Sequence, residues 1–125
     1  MAQILVIDDM TGVRRAVDAM LRHAGHNVVD ASDGAEGLEQ LKAKRFDLVI
    51  VDILMPKIDG TEVIFQLASQ ADRPPVIAIS GGGAGVSASE ALRTARFKAD
   101  AFLEKPFEKD QFMTLVDKLL NGKKS

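Results

Sequence analysis

The sequence predicts one α/β domain with a doubly wound, five-stranded parallel sheet. Several short segments consist of consecutive apolar, mostly β-branched residues, which indicates strands buried on both faces. Between them lie segments with apolar residues at helical spacing. Strands that alternate with helices of this size are typical of right-handed crossovers and of a parallel sheet covered on both sides. A length of 125 residues suits a single domain with a substantial core.

Each predicted strand is followed by a predicted helix. Thr11 is the expected N-cap of the first helix and Gly25 its stop signal. The turn Ser32-Asp33-Gly34 leads into the second helix. The predicted strands are Gln3–Ile7, Asn27–Ala31, 48–51, 76–79 and 101–104. The apolar positions that predict the first and second helices are Val13, Val17 and Leu21, and Leu38 and Leu41. Those of the third, fourth and fifth helices are Val63, Ile64 and Leu67; Val86, Ala91 and Leu92; and Phe112, Leu115, Val116, Leu119 and Leu120.

Composition excludes several classes of function. A net charge of −2, from 16 basic and 18 acidic residues, gives no general attraction to nucleic acid or to an anionic membrane. The absence of cysteine excludes disulfides, thiolate metal sites and cysteine nucleophiles. Because the sequence shows no signal-like or membrane-spanning segment, the expected location is the cytoplasm. Residues 1–122 are expected to form the domain and 123–125 a disordered tail.

Four of the five predicted strands are followed by a residue that can carry chemistry. These residues are Asp8 and Asp9, Asp52, Ser80 and Lys105. Taken singly, an aspartate there is often a helix cap, a serine before glycine a turn residue, and a lysine solvated surface. Because all carboxyl ends of a parallel sheet meet at one edge, where such folds bind ligands, the joint arrangement predicts a site.

The charges at this edge favour phosphoryl chemistry. Clustered carboxylates repel each other, and a hard cation such as Mg²⁺, which prefers carboxylate, water and phosphate oxygens, relieves the repulsion. Three aspartates, one Mg²⁺ and Lys105 together are neutral. Such a site can accept a phosphoryl group on one carboxylate, while the metal and the lysine neutralise the developing charge. Asp52, directly after the apolar run 48–51, is expected to be the working residue of this site.

These motifs resemble the signature of the CheY-like receiver domain of bacterial two-component response regulators. The matching residues are Asp8-Asp9, Asp52, Met55-Pro56, Asp59-Gly60, Ser80 and Lys105-Pro106-Phe107. The resemblance extends from the first strand to the fifth helix. It implies a flavodoxin-like (βα)5 fold with strand order 2-1-3-4-5.

The resemblance also implies a role for each site residue. Asp52 would be the phosphoacceptor and a Mg²⁺ ligand. Asp9 would bind the metal directly, Asp8 through water, and Leu54 through its carbonyl. Lys105 would pair first with Asp52 and then with the phosphoryl group.

Two further residues would transmit the signal. Ser80 would move to bond a phosphoryl oxygen, and Phe102 would swing inward after it. This movement would alter the face formed by the fourth helix, the fifth strand and the fifth helix. Pro106 would follow a cis peptide bond. The alternative for Phe102 is an ordinary half-buried core aromatic.

The implied function is a phosphorylation-controlled switch rather than an enzyme, although it would catalyse its own phosphorylation and slow dephosphorylation. A sensor histidine kinase or phosphotransfer protein would donate the phosphoryl group, and an unknown downstream protein would bind the product. No direct nucleic-acid or membrane contact is expected, and the protein would be a monomer or a weak dimer on phosphorylation. The chain is expected to be either a stand-alone receiver or an excised domain.

Some residues depart from the family pattern. Residues 81–85 include four glycines, and we expect this loop to be mobile and to become ordered on phosphorylation. Leu54 and Gly82 flank the expected path of attacking water, which predicts an unusual lifetime for phospho-Asp52. Phe102 lacks a hydroxyl, so a switch there would act by packing.

Three alternatives remain at this point. A nucleotide-binding domain could use the loop at 81–85, but the dinucleotide fingerprint is expected after the first strand, where Asp8 and Asp9 would repel a pyrophosphate. A phosphohydrolase acting through an aspartyl phosphate would need a substrate pocket that the sequence does not indicate. A degenerate receiver could bind its partner constitutively, although every expected site residue is present.

Overall fold

A computed structural model of the chain describes residues 2–52, 73–81, 99–105 and 107–122. Five strands and three helices lie within these ranges. The predicted helices between the third and fourth strands and between the fourth and fifth strands fall outside them. The elements are β1 (Gln3–Ile7), α1 (Thr11–His23), β2 (Asn27–Ala31), α2 (Gly34–Ala43), β3 (Leu48–Asp52), β4 (Val76–Gly81), β5 (Ala101–Lys105) and α3 (Lys109–Gly122), which is the fifth predicted helix.

The five strands form one parallel sheet in the order β2-β1-β3-β4-β5, which confirms the expected order. β4 and β5 extend slightly beyond their predicted ends, to Gly81 and Lys105. The order places β1 beside β3 in the interior of the sheet, with Ile7 in register with Val51. The residues that follow Ile7 and Val51 therefore leave the sheet side by side.

Alternate residues of the strands enter two separate cores. On one face, Leu5 and Val49 belong to a buried cluster against which Leu38 of α2 packs. On the other face, Ile4 and Leu48 share a cluster with residues of α1 and α3, among them Phe112. Because every residue of β3 is buried, both faces of the sheet are covered, as the continuous apolar run predicts.

The ends of α1 differ in how well the sequence predicts them. The prediction that Thr11 is the N-cap of α1 was wrong, because Thr11 is already helical. Met10 occupies the N-cap position, and its side chain makes no capping hydrogen bond. Gly25 is confirmed as the stop signal. It has a φ of 93°, and its N–H donates to the Arg22 carbonyl (3.0 Å) while that of His26 donates to the Leu21 carbonyl (3.1 Å). This is a Schellman C-terminus, which favours glycine at the left-handed position.

Two aspartates secure the sheet at the amino ends of its strands. Asp47 accepts a hydrogen bond from the Gln3 N–H (2.8 Å), and Asp100 accepts one from the Val76 N–H (2.8 Å). Arg73 donates to the same Asp100 oxygen (2.9 Å). These bonds satisfy backbone donors at the beginning of β1 and β4 and so hold the strands that carry the site at the opposite edge.

Candidate functional site

Three carboxylates meet where β1 and β3 end. Asp8 and Asp9 follow β1, and Asp52 is the last residue of β3. One oxygen of each lies within 4.8 Å of an oxygen of the other two. The central, adjacent position of β1 and β3 in the sheet produces this cluster, since neither strand alone brings more than two acids together.

The three acids differ in exposure. Asp8 and Asp52 retain only 2% and 4% of their accessible surface, whereas Asp9 is exposed. Two buried carboxylates beside a third repel each other strongly in a medium less polar than water. Asp9 alone faces solvent, which makes it the side of the cluster that an ion or a phosphoryl donor would approach.

Asp8 is held in place through its main chain and its side chain. Its N–H donates to the Ala31 carbonyl (3.1 Å), so it continues the ladder between β1 and β2. Its Oδ1 accepts from the Met10 N–H (2.9 Å), and its carbonyl accepts from the Arg14 guanidinium (2.7 Å). These contacts connect the acidic cluster rigidly to the beginning of α1.

Asp52 owes its position to β3, which is buried throughout. Each residue of β3 is buried, and Asp52 lies in register with Ile79 of β4. A carboxylate in such surroundings is stable as an ion only when cations or donors compensate its charge. The donor set of three carboxylates, two of them buried, therefore fits a hard divalent cation such as Mg²⁺, which takes oxygen ligands.

The other predicted site residues are placed less completely. Ser80 and Lys105 belong to the carboxyl ends of β4 and β5, where Ser80 pairs with Glu104 and Gly81 with Lys105. Their backbones thus reach the same edge as the acids. The side chains of Ser80 and Lys105 lie outside what the structure describes, as do Leu54, Pro106 and residues 82–85 with their predicted roles.

Phe102 lies in β5 opposite Ala78, partly buried, and packs against the core cluster that contains Val49. This position is compatible with both interpretations of Phe102, the switch and the core aromatic. Phe107, from the Lys105-Pro106-Phe107 motif, stacks against Phe112 of α3 with ring centroids 5.6 Å apart. The segment that follows β5 is therefore anchored to the closing helix.

Two residues near the cluster escaped the sequence analysis. Arg14 supports the Asp8 carbonyl, and Met10, which is 53% exposed, is the large exposed hydrophobic side chain among the described residues. The sequence does show that both residues lie within a few positions of Asp9. The bond from Arg14 to a carbonyl six residues earlier depends on the turn before α1, which no side-chain pattern indicates.

None of the helices in the described ranges is both long and apolar enough to cross a membrane.

Comparison with known proteins identifies the family. A family model described as the response regulator receiver domain matches residues 4–117. The chain is 35% identical over 122 residues to the response regulator MprA of Mycobacterium ulcerans, covering 98% of this chain and 51% of the relative. The chain thus spans about half the length of the curated relatives it matches.

Solved structures agree with the fold. A response regulator receiver domain protein from Clostridium thermocellum superposes with a TM-score of 0.86 at 28% identity, over 99% of this chain and 98% of the other. A CheY-like receiver domain protein from Methanospirillum hungatei gives a TM-score of 0.86 at 25% identity, over 99% and 97%. These similarities confirm the resemblance drawn from the motifs.

Proposed function

The chain belongs to the response regulator receiver domain family, and on that premise we propose that Asp52 accepts a phosphoryl group in a Mg²⁺-dependent transfer from a sensor histidine kinase or a phosphotransfer protein. The phosphorylated domain then binds a downstream protein. The observation that carries this proposal is the cluster of Asp8, Asp9 and Asp52 at the carboxyl edge of the sheet.

Asp52 is the nucleophile in this proposal. Its carboxylate oxygen attacks the phosphorus of the donor, a P–O bond forms, and the bond to the donor imidazole breaks, leaving that nitrogen with the electron pair. Burial of Asp52 removes competing water from the nucleophile, and its place at the end of β3 restricts its orientation. Positioning of this kind supplies much of the rate in phosphoryl transfer.

Asp9, Asp52 and the Leu54 carbonyl would hold the Mg²⁺ ion directly, and Asp8 would act through water. When bound, the ion supplies positive charge to the phosphoryl oxygens and relieves the repulsion among the three acids. Asp8 is suited to an indirect role because its Oδ1 already accepts from the Met10 N–H. Lys105 would pair with the acceptor carboxylate and then with the phosphoryl group.

Ser80 and Phe102 would convert phosphorylation into a change of surface. The strands β4 and β5 pair from Ile77 to Gly81, so a displacement of the backbone at Ser80 is passed directly to β5. Phe102 lies on β5 and is only partly buried, so a change in its rotamer would alter the exposed surface. A cytoplasmic location, and a monomeric state or a weak dimer on phosphorylation, stay predictions.

The test is incubation with acetyl phosphate or with beryllofluoride, each with Mg²⁺. We expect the wild-type protein to gain one acid-labile phosphoryl group by intact-protein mass spectrometry with acetyl phosphate. With beryllofluoride we expect the amide NMR signals of β4, β5 and α3 to shift. Asp52→Asn should abolish both responses because the amide cannot act as the nucleophile or bind beryllium in the same way.

A matched control is Asp33→Asn, another aspartate that keeps a structural role at the N-cap of α2 after substitution. It should be phosphorylated like the wild type. Equal labelling of Asp52→Asn would refute the assignment of the acceptor. No labelling of the wild-type protein with any donor, combined with partner binding that is independent of phosphorylation, would favour the degenerate receiver.

A further inference from the structure

The turn between β1 and α1 carries the exposed acid Asp9, and Arg14 encloses this turn from the side of α1. The backbone N–H of Arg14 donates to the Met10 carbonyl (2.9 Å), and its guanidinium reaches back to the Asp8 carbonyl (2.7 Å). The Asp8 side chain closes the same turn, because its Oδ1 accepts from the Met10 N–H (2.9 Å). Asp9 therefore lies between two residues that hydrogen bonds hold in place.

The position of Arg14 in α1 explains how its side chain reaches the turn. Side chains of a helix point toward its amino end, so the fourth residue of α1 extends over the residues that precede the helix. A positive charge so near the amino end of a helix is disfavoured by the helix dipole, and α1 has no acid in its first turn to offset it. The guanidinium thus lies there against the preference of the helix, and its contact with the Asp8 carbonyl compensates.

The contact with the Asp8 carbonyl acts on Asp9 through the peptide bond that joins the two residues. Because a peptide unit is planar, fixing the Asp8 carbonyl oxygen also fixes the directions of the Asp9 N–H and of the Asp9 Cα. Asp8 and Asp52 are buried, whereas Asp9 is exposed, so packing orients the buried pair far more than it orients Asp9. The orientation of Asp9 depends instead on its backbone.

We propose that Arg14 is a positioning residue for the Mg²⁺ site. By holding the peptide between Asp8 and Asp9, it keeps the Asp9 carboxylate within reach of Asp52. This inference rests on the proposed function, which makes Asp9 a direct ligand of the ion. Arg14 has no acceptor for a metal, so its effect is indirect. Residues that orient metal ligands in this way typically change metal affinity by about 10–100-fold.

The charge of Arg14 and its hydrogen bond have opposite effects on a bound cation. A guanidinium near three acids repels Mg²⁺, so removal of its charge would by itself strengthen binding. Removal of the hydrogen bond releases the peptide between Asp8 and Asp9 and weakens binding. A weaker Mg²⁺ affinity after loss of the guanidinium therefore identifies positioning, because the loss of charge acts in the other direction.

The experiment is a titration of the full chain with Mg²⁺, without any phosphoryl donor, followed through the backbone amide NMR signal of Asp9. We expect the Kd of Arg14→Gln for Mg²⁺ to be about tenfold higher than that of the wild type. Arg15→Gln is the matched control, because it removes the same charge from the exposed neighbouring residue of α1. It should bind Mg²⁺ as tightly as the wild type or slightly more tightly.

The Kd separates positioning from a merely structural role of Arg14. It is measured on the folded protein, so a loss of stability alone would leave it unchanged. Hydrogen exchange of the Met10 amide, recorded without metal, gives a second readout because this N–H donates to the Asp8 side chain. The exchange should be faster in Arg14→Gln than in the wild type and unchanged in Arg15→Gln.

Arg14→Lys provides a conservative variant. The lysine ammonium keeps the charge and can donate to the Asp8 carbonyl, but it lacks the rigid fork of the guanidinium. Its Kd for Mg²⁺ should lie between those of the wild type and Arg14→Gln. If Arg14→Gln fails to fold, the wild type still decides the question. The side-chain N–H signals of Arg14 should then follow the same Mg²⁺ titration curve as the Asp9 amide, and those of Arg15 should stay constant.

Three results would overturn the role of Arg14 alone. They are a Kd of Arg14→Gln equal to or lower than that of the wild type, an equal weakening in Arg15→Gln, and Arg14 side-chain signals that do not respond to Mg²⁺. Each would leave the metal site and the phosphorylation of Asp52 intact. A wild-type protein that binds no Mg²⁺ would instead overturn both this inference and the proposed Mg²⁺ dependence, so the two failures are distinguishable.

Discussion

Ile7 and Gly37 meet where α2 lies on β1, and the contact leaves no space for another carbon atom. A Cβ built on Gly37 would lie 2.9 Å from Cγ1 of Ile7 and closer still to its Cδ1. Ile7 is the last residue of β1, directly before Asp8. The close approach of α2 therefore helps to determine where the acidic cluster begins.

Gly37→Ala is expected to destabilise the domain. Overpacking of a core costs about 1–3 kcal/mol, which exceeds the gain of about 0.5–1 kcal/mol from replacing a glycine within a helix. We expect the free energy of unfolding to fall by about 1 kcal/mol in urea denaturation. Gly12→Ala is the control, because no atom lies within 4 Å of its Cβ position in α1. Equal effects of the two substitutions would contradict the packing argument.

Mg²⁺ is expected to stabilise the protein through the acidic cluster. Binding to the folded state alone raises the free energy of unfolding by about 2.7 kcal/mol at a concentration one hundred times the dissociation constant. Asp9→Asn should remove most of this gain in melts recorded with excess Mg²⁺ and with EDTA. Because the substitution also relieves repulsion, the variant should melt higher than the wild type in EDTA.

Glu39→Gln is a suitable control for the metal prediction, since Glu39 is an exposed acid of α2. It should keep the whole Mg²⁺ response. A response in Asp9→Asn as large as in the wild type would mean that the ion binds elsewhere.

Asp100 and Arg73 should contribute very differently to stability. Asp100→Ala leaves the Val76 N–H without its acceptor, and an unsatisfied donor of this kind costs about 1–3 kcal/mol. Arg73→Ala removes the partly exposed ion pair and a hydrogen bond to the Pro74 carbonyl, and keeps the acceptor of the Val76 N–H, so about 0–1 kcal/mol is expected. The check is urea denaturation of both variants, and a larger loss for Arg73→Ala would show that the ion pair matters more than the backbone contact.

Gly25→Ala isolates the effect of a left-handed backbone conformation. Its φ of 93° disfavours any residue with a Cβ, yet nothing lies within 4 Å of the added atom. The free energy of unfolding is therefore expected to fall by about 1–2 kcal/mol because of the backbone conformation and not because of a steric clash with neighbouring atoms. Thermal melts should show that Gly25→Asn loses less than Gly25→Ala, because asparagine tolerates the left-handed region better. The reverse order would argue that α1 ends in another conformation in solution.

The sequence by itself was sufficient for the five strands and for the three helices that lie within the described residues. Runs such as 48–51 have no polar position that could face water, so they required a strand covered on both sides. Acids and a hydroxyl after successive strands predicted a site at one edge. Gly25 was predictable because only its neighbours in the chain determine the end of α1.

Other features were decided only by tertiary structure, because they depend on which elements become neighbours. Apolar runs do not specify pairing, so the position of β1 beside β3, which brings Asp8 to Asp52, came from the family resemblance and not from the residues. Thr11 had the right chemistry for a cap, but the turn held by Asp8 made Met10 the cap. The close approach of Gly37 to Ile7 also had no signal in the chain, since it arises from the packing of α2 on β1.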